Sequence, residues 1–224
     1  MNKKTADNIT STSKNAPLLE LDTRSKILRA AIDAFSRSGY SGASLREITG
    51  LAGVNHGSVK YHYSNKQNLW QSAVKFLYAE LEAATRLPDK EWATMSAKSK
   101  VEHGMRRYIR FLAKNPELFK ITMFETMNNG PQLDWLLENV TIPYTKKSIA
   151  LIDEARKDGV FFHDISTMNL FYLMISVTRN IFFIAPEIYR VFGKDVFSDE
   201  EIKRHEDAAV TLFMGHLSNT EQHN

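Results

Sequence analysis

Residues 56–66 read HGSVKYHYSNK, which sets two histidines, two tyrosines and two lysines within about three helical turns. Such residues can ligate a metal, move protons, plug a core or lie against a polyanion. His56 and His62 stand six apart, so on a helix they point to different sides, unlike the i, i+4 pair that grips zinc. His163-Asp164 has the form of a metal-dependent hydrolase dipeptide, but its partner motifs are missing. His205-Glu206-Asp207 reads as the solvated face of an exposed helix. No Ser/His/Asp spacing, glycine-rich phosphate loop or paired catalytic carboxylates stand out. The chain contains no cysteine, which excludes disulfides, thiolate metal sites and cysteine nucleophiles. The residues therefore point to a protein that is not an enzyme and carries neither cofactor nor metal.

Contact with a polyanion has independent support in the charge distribution. Residues 1–70 hold ten Lys and Arg against five Asp and Glu, whereas residues 71–224 hold nineteen against twenty-one. The basic excess sits at the end that contains HGSVKYHYSNK, as an anionic partner requires. The 224 residues allow one or two domains with a sizeable core, and the 25% of charged residues is ordinary for a globular protein. The cysteine-free composition fits a reducing cytoplasm, the expected location. The polar stretch TADNITSTSKNAP after the first residues is no secretory signal. The most apolar stretch, ISTMNLFYLMISVTRNIFFIAP, is broken by Asn169, Arg179 and Asn180. Its longest charge-free run is shorter than the ~18–20 residues that span a bilayer, so it reads as a buried helix.

Helical periodicity runs through nearly every segment from Asp22 onward, and no convincing strand pattern occurs. Ile27, Ala31, Ala34 and Phe35 line one face of a first helix that Gly39 stops. Ser44 and Glu47 have capping-box spacing and open a short helix through Ile48 and Leu51. Gly53 breaks it, and Asn55 caps a second short helix from His56 to about His62. Ser64 and Gln67 form another capping box before a long fourth helix through Leu69, Trp70, Ala73, Phe76, Leu77 and Leu81. Later helices are predicted at 96–114, from Pro116, from Pro131 (kinked or divided by Pro143), at 166–185, and from a Ser198–Glu201 capping box. The expected fold is all-α with about nine helices: a three-helix unit at 21–68 and a larger bundle at 69–218. A disordered arm at 1–20 and a tail at 219–224 would flank them.

Two short helices joined by a glycine-containing turn, behind a longer packing helix, make a helix-turn-helix. The second short helix of such a unit enters the DNA major groove with its N-terminal residues toward base edges. Here it begins with small polar residues, Asn55, His56, Gly57 and Ser58, and ends in Lys60, Tyr61 and His62, suited to phosphate and sugar. Lys66 follows in the first turn of the next helix, where free N–H groups and the dipole favour a phosphate. Tyr63 is read as core rather than interface. Arg46 can reach a base or the backbone, or stay solvated beside helix acids.

The stretch TRSKILRAAIDAFSRSGYSGASLREITGLAGVNHGSVKYHYSNKQNLW, from Thr23 to Trp70, resembles the TetR family of transcriptional regulators over about a fifth of the chain. Phe35, Gly39, Tyr40, Ser44, Ile48, Ala52, Gly53, Val54, Gly57, Ser58, Tyr61, His62, Tyr63 and Lys66 fall on the family pattern. One departure is Lys60, where the family usually has tyrosine. The resemblance implies a ligand-responsive regulator, most often a repressor. It implies a homodimer on a palindromic double-stranded DNA operator, with a C-terminal domain that takes a small effector. The DNA-binding set is then Ser44, Arg46, Asn55, His56, Gly57, Ser58, Lys60, Tyr61, His62 and Lys66.

The C-terminal bundle is rich in adaptable and aromatic side chains that could line an apolar pocket. Tyr108, Phe124, Met127, Trp135, Tyr172 and Arg179 are the candidate effector residues. Arg179 interrupts an apolar helix, so it either forms a salt bridge, for example to Glu125, or anchors an acidic ligand group. The last two long helices carry more apolar surface than one bundle needs, which suits a four-helix dimer interface. A different class of protein, a helical ligand-binding or scaffold protein without DNA binding, is the competing reading.

Overall fold

The computed structural model describes residues 22–161 and 165–215. The anticipated arm at 1–20, the tail at 219–224 and His163-Asp164 lie outside the described residues. Within them every regular element is helical: α1 Thr23–Gly42, α2 Leu45–Ala52, α3 His56–Tyr63, α4 Lys66–Thr85, α5 Asp89–Thr94 and α6 Ala97–Lys114. Then follow α7 Pro116–Asn128, α8 Pro131–Leu136, a π-helical turn Leu137–Thr141, α9 Ile142–Lys157, α10 Thr167–Phe183, α11 Ala185–Phe192 and α12 Asp199–Met214. The nine expected helices are all present. Three further segments arise because α5 and α11 form in stretches read as loops and because one long helix is divided into α8 and α9.

That division has a local cause. Pro143 has no N–H to give the carbonyl of Asn139, so the ladder loses a bond there and widens into the π turn just before it. Pro186 acts similarly: it sits in the first turn of α11, and α10 and α11 meet at a 67° bend. No single helix among the described residues is long and apolar enough to cross a membrane. α10 is buried along Leu170, Phe171, Met174, Thr178 and Phe182 only, while Tyr172, Leu173 and Phe183 on its other side are exposed.

The core is continuous from the N-terminal helices into the bundle. Ile27, Phe35, Ile48, Leu69, Trp70 and Leu77 are fully buried in the first half, and Ile109, Leu112, Ile121, Leu136 and Leu170 in the second. α1 packs on α7 even more extensively than on α2 or α4. Gly39 makes that approach possible: its φ of +67° with ψ of −178° is a glycine conformation, and a Cβ there would lie 3.1 Å from that of Phe124. α12 lies against α6, and this corrects the reading of His205-Glu206-Asp207 as solvated. Glu206 is fully buried and accepts from two Arg110 nitrogens, Nε at 2.5 Å and Nη2 at 2.8 Å, while Asp207 accepts from Arg106 at 2.6 Å. Charge alone does not expose a helix face when the facing helix supplies the counter-ions.

Candidate nucleic-acid interface

Each end of the helix-turn-helix is fixed by its own side chains. The Ser44 hydroxyl accepts the Glu47 N–H at 3.1 Å and starts α2. Glu47 does not complete a capping box, because its carboxylate turns instead to Arg37 at 3.0 Å. Gly53, at φ +65°, closes α2 in the left-handed conformation. Asn55 Oδ1 then accepts the Ser58 N–H at 3.0 Å, opening α3. A Cβ on Gly57 would lie 3.2 Å from that same Oδ1, so the glycine serves the cap as well as any close approach to DNA.

α3 is anchored on one side and free on the other. Val59 and Tyr63, one turn apart, are buried, and the Tyr63 hydroxyl donates to the Arg24 carbonyl at 2.8 Å. That places Tyr63 in the core, as its pattern predicts. The opposite stripe, His56, Gly57, Lys60 and Tyr61, is exposed, and the Tyr61 ring is 86% accessible. His62 is half-buried at the edge of this stripe, its ring 4.9 Å from that of Tyr61. Ser44, Arg46 and Asn55 are also exposed, and Ser58 is half-buried by its bond to Asn55. Among the described residues no group of three or more His, Asp or Glu is placed to hold a metal. Most of the candidate residues are thus exposed on the helix-turn-helix, with Glu47, the acid beside Arg46 on α2, already paired to Arg37.

The turn into α4 differs from the expected capping box. Asn65, not Ser64, is the cap, accepting the Asn68 N–H at 2.8 Å. Ser64 has a φ of +68°, a conformation a serine holds only when its surroundings fix it, and here α3 and Asn65 do so. Lys66 is half-buried rather than free. Its ammonium lies 4.6 Å from the Tyr40 ring centre, and burial lowers its pKa while Glu125 pulls it back up. Glu125, 2% exposed on α7, accepts the Tyr40 N–H at 2.8 Å. Residues 39–40, 66 and 124–125 therefore form a joint between the helix-turn-helix and the bundle. The sequence offers Glu125 only as a possible partner for Arg179, which it is not; with Glu117 and Lys120 on the same helix, nothing local marks it for burial.

The six candidate effector residues do not share one place. Phe124 belongs to the joint at Gly39, Met127 is 77% exposed, and Trp135 packs edge-on to Trp70. Tyr172 lies on the exposed side of α10. Tyr108 and Arg179 do meet, and the structure adds Tyr78 and Tyr144 beside them. Burial raises the pKa of all three phenols, with the Arg179 guanidinium drawing those of Tyr108 and Tyr78 back down.

Known proteins bear directly on this arrangement. Residues 27–73 match the model of the tetR family of bacterial regulatory proteins. Residues 98–212, about half of the chain, match that of the tetracyclin repressor-like C-terminal domain. The chain belongs to the TetR family. Like other TetR-family members it is a DNA-binding transcriptional regulator. A 115-residue stretch is 28% identical to the transcriptional repressor NicS of Pseudomonas putida, covering 48% of this chain and 50% of that protein. Longer alignments reach the repressor SCO4008 of Streptomyces coelicolor, at 22% identity over 79% of this chain and 88% of that one. The regulator RutR of Escherichia coli is 25% identical over 75% and 77%. In fold, the hemolysin II transcriptional regulator HlyIIR superposes with a TM-score of 0.63 at 22% identity, covering 83% of this chain and 96% of that one.

Proposed function

We propose that this TetR-family protein is a ligand-responsive repressor that binds an inverted-repeat operator as a homodimer and is released by a small effector. The observation that carries the reading is the free face of α3, with His56, Gly57, Lys60 and Tyr61 exposed opposite the buried Val59 and Tyr63. The stripe from His56 to Ser58 faces base edges, Tyr61 and Lys60 reach phosphates, and Arg46 on α2 extends the footprint. Lys66 contributes long-range charge from the joint.

The dimer interface lies on α10 and α12. Tyr172 and Leu173 on α10 and Leu212 on α12 are 50–60% exposed, and Met168 and Phe183 add to the same apolar area. Such a surface suits a four-helix seam with a second copy. Phe182 and Val210 serve instead the contact between α10 and α12 of one chain, where both are buried. Two α3 helices then enter successive major grooves roughly 34–36 Å apart.

The effector acts near Arg179 and Tyr108. α4 runs from Lys66 at the joint to Tyr78 in this cluster, and α7 runs from Phe119, whose ring Arg179 covers at 4.6 Å, to Phe124 and Glu125. A ligand that prefers one setting of α4 and α7 thereby shifts α1 and α3, by no more than its differential affinity for the two states. Selection of DNA from a random pool tests the reading: a dyad-symmetric site is expected, and recovery of none would refute it.

A further inference from the structure

α3 carries the face proposed to meet DNA, yet little of it is held in place. Of its eight residues only Val59 and Tyr63 are buried. Its N-terminal end is set by the short turn from α2, through Gly53 and the Asn55 cap. Its C-terminal end depends on one tie. Among the described residues, the Tyr63 hydroxyl makes the only side-chain hydrogen bond from α3 to another helix, donating to the Arg24 carbonyl at 2.8 Å. Arg24 stands in the first turn of α1, and its guanidinium lies 5.7 Å from the Tyr63 ring centre. One residue of α1 therefore meets Tyr63 with both backbone and side chain. Burial raises the pKa of this phenol, which keeps the donated proton in place at neutral pH.

Tyr63 also closes the turn that follows it. Its carbonyl accepts the Asn65 N–H at 2.8 Å across Ser64, whose φ of +68° and ψ of −50° make this the rare, strained form of the γ-turn. A serine keeps that conformation only where neighbouring contacts over-determine it. The Lys60 carbonyl, accepting the Ser64 N–H at 3.1 Å, fixes one side, and Asn65, capping α4, fixes the other. The bond to Arg24 stops the end of α3 from swinging away to relax the turn. Building on the operator-binding reading above, we propose that Tyr63 is a positioning residue for base recognition, its hydroxyl fixing the angle of α3 against α1 and α4. A helix free to pivot about Val59 still offers Lys60 and Tyr61 to phosphates, which carry no sequence information. It misplaces the stripe from His56 to Ser58 against base edges. Loss of the bond therefore costs sequence discrimination rather than general affinity for DNA.

The test uses the full-length protein, the operator recovered by selection, and a random-sequence duplex of the same length. Tyr63→Phe keeps the ring in the core and removes only the hydroxyl. Its operator affinity, read by fluorescence anisotropy, should fall about two- to tenfold, the equilibrium worth of one such bond, while affinity for the random duplex holds. Hydrogen exchange of the free variant should quicken in α3 and not in α1 or α4. Arg24→Gln keeps the accepting carbonyl, so it should retain both the operator-to-random ratio and the protection of α3. The assignment is overturned if both duplexes weaken alike, if neither changes, or if α3 exchanges as in wild type. It is also overturned if Arg24→Gln loses the ratio as Tyr63→Phe does, or if Tyr63→Phe melts far below wild type, which makes the hydroxyl a general stabiliser. The operator reading is judged on wild type alone: a protein that prefers no sequence sinks that reading, and the positioning role with it.

Discussion

Replacing Glu125 separates its two roles at the joint. Its carboxylate accepts the Tyr40 N–H at 2.8 Å and lies near Lys66, yet it is 2% exposed. Burial raises its pKa above the ordinary 4.5, outweighing the Tyr40 bond and Lys66, which both lower it. The folded protein thus binds this proton more tightly than the unfolded chain does. The contribution to stability is fully present below 4.5 and is lost as pH rises through the folded value. At pH 7.5 the ionised group is therefore a net cost, and Glu125→Gln, which keeps an acceptor without the charge, should melt at or above wild type. That advantage should shrink as pH falls toward 4.5. Glu125→Ala instead strands the Tyr40 N–H, a loss of about 1–3 kcal/mol. For a chain of this size each kcal/mol corresponds to about 2–4 °C, so a drop of roughly 2–12 °C is expected. Thermal melts by circular dichroism at pH 7.5 and 5 measure both variants. If Gln and Ala fall equally, the Lys66 pairing rather than the Tyr40 bond secures α7 to α1, and the reasoning is refuted.

Three further outcomes follow from the same geometry. Lys60→Ala should weaken binding to all DNA sequences and reduce the slope of log affinity against log salt by about 0.9, read by gel shift across salt concentrations; an unchanged slope means that Lys60 makes no phosphate contact. Gly39→Ala must adopt a glycine-only backbone conformation while meeting Phe124, so it should lose about 2–3 kcal/mol in denaturant melts. Leu173→Glu places a charge on the exposed face of α10 and should convert a dimer to monomers by analytical ultracentrifugation without lowering helix content.

The sequence made the helix-turn-helix legible because its signals are local. A capping residue and its N–H partner lie three positions apart, and a buried stripe such as Val59 and Tyr63 repeats with the helical turn. Asn55 and Ser198 cap α3 and α12 as their spacing predicts. The misplaced cap at Ser64 shows the limit of such rules: Ser64 and Asn65 both have capping side chains, and only the tightness of the α3–α4 turn decides between them. The effector residues were less legible because aromatic content does not say which helix a ring faces. Tyr108 and Arg179 meet, whereas Phe124 and Trp135 were drawn to α1 and Trp70 by packing that links residues far apart in the chain.

Buried charge was the feature hardest to anticipate, and it is also where the molecule's coupling resides. Glu206 and Glu125 both lie in segments whose composition gives no hint of burial, and each is enclosed because another helix brings the donor: Arg110 from α6, Tyr40 from the end of α1. Arg179 is the counter-case, a half-buried cation over the Phe119 ring to which no acid among the described residues is paired. The two acids lock helices together; the arginine leaves one charge unanswered. Since α7 carries both Phe119, beneath Arg179, and Glu125, which holds the Tyr40 N–H, the effector proposed near Arg179 would act on the same helix that secures α1. The distance from effector to DNA-binding unit is then bridged by a single rigid helix, with α4 as a second link through Tyr78 and Lys66.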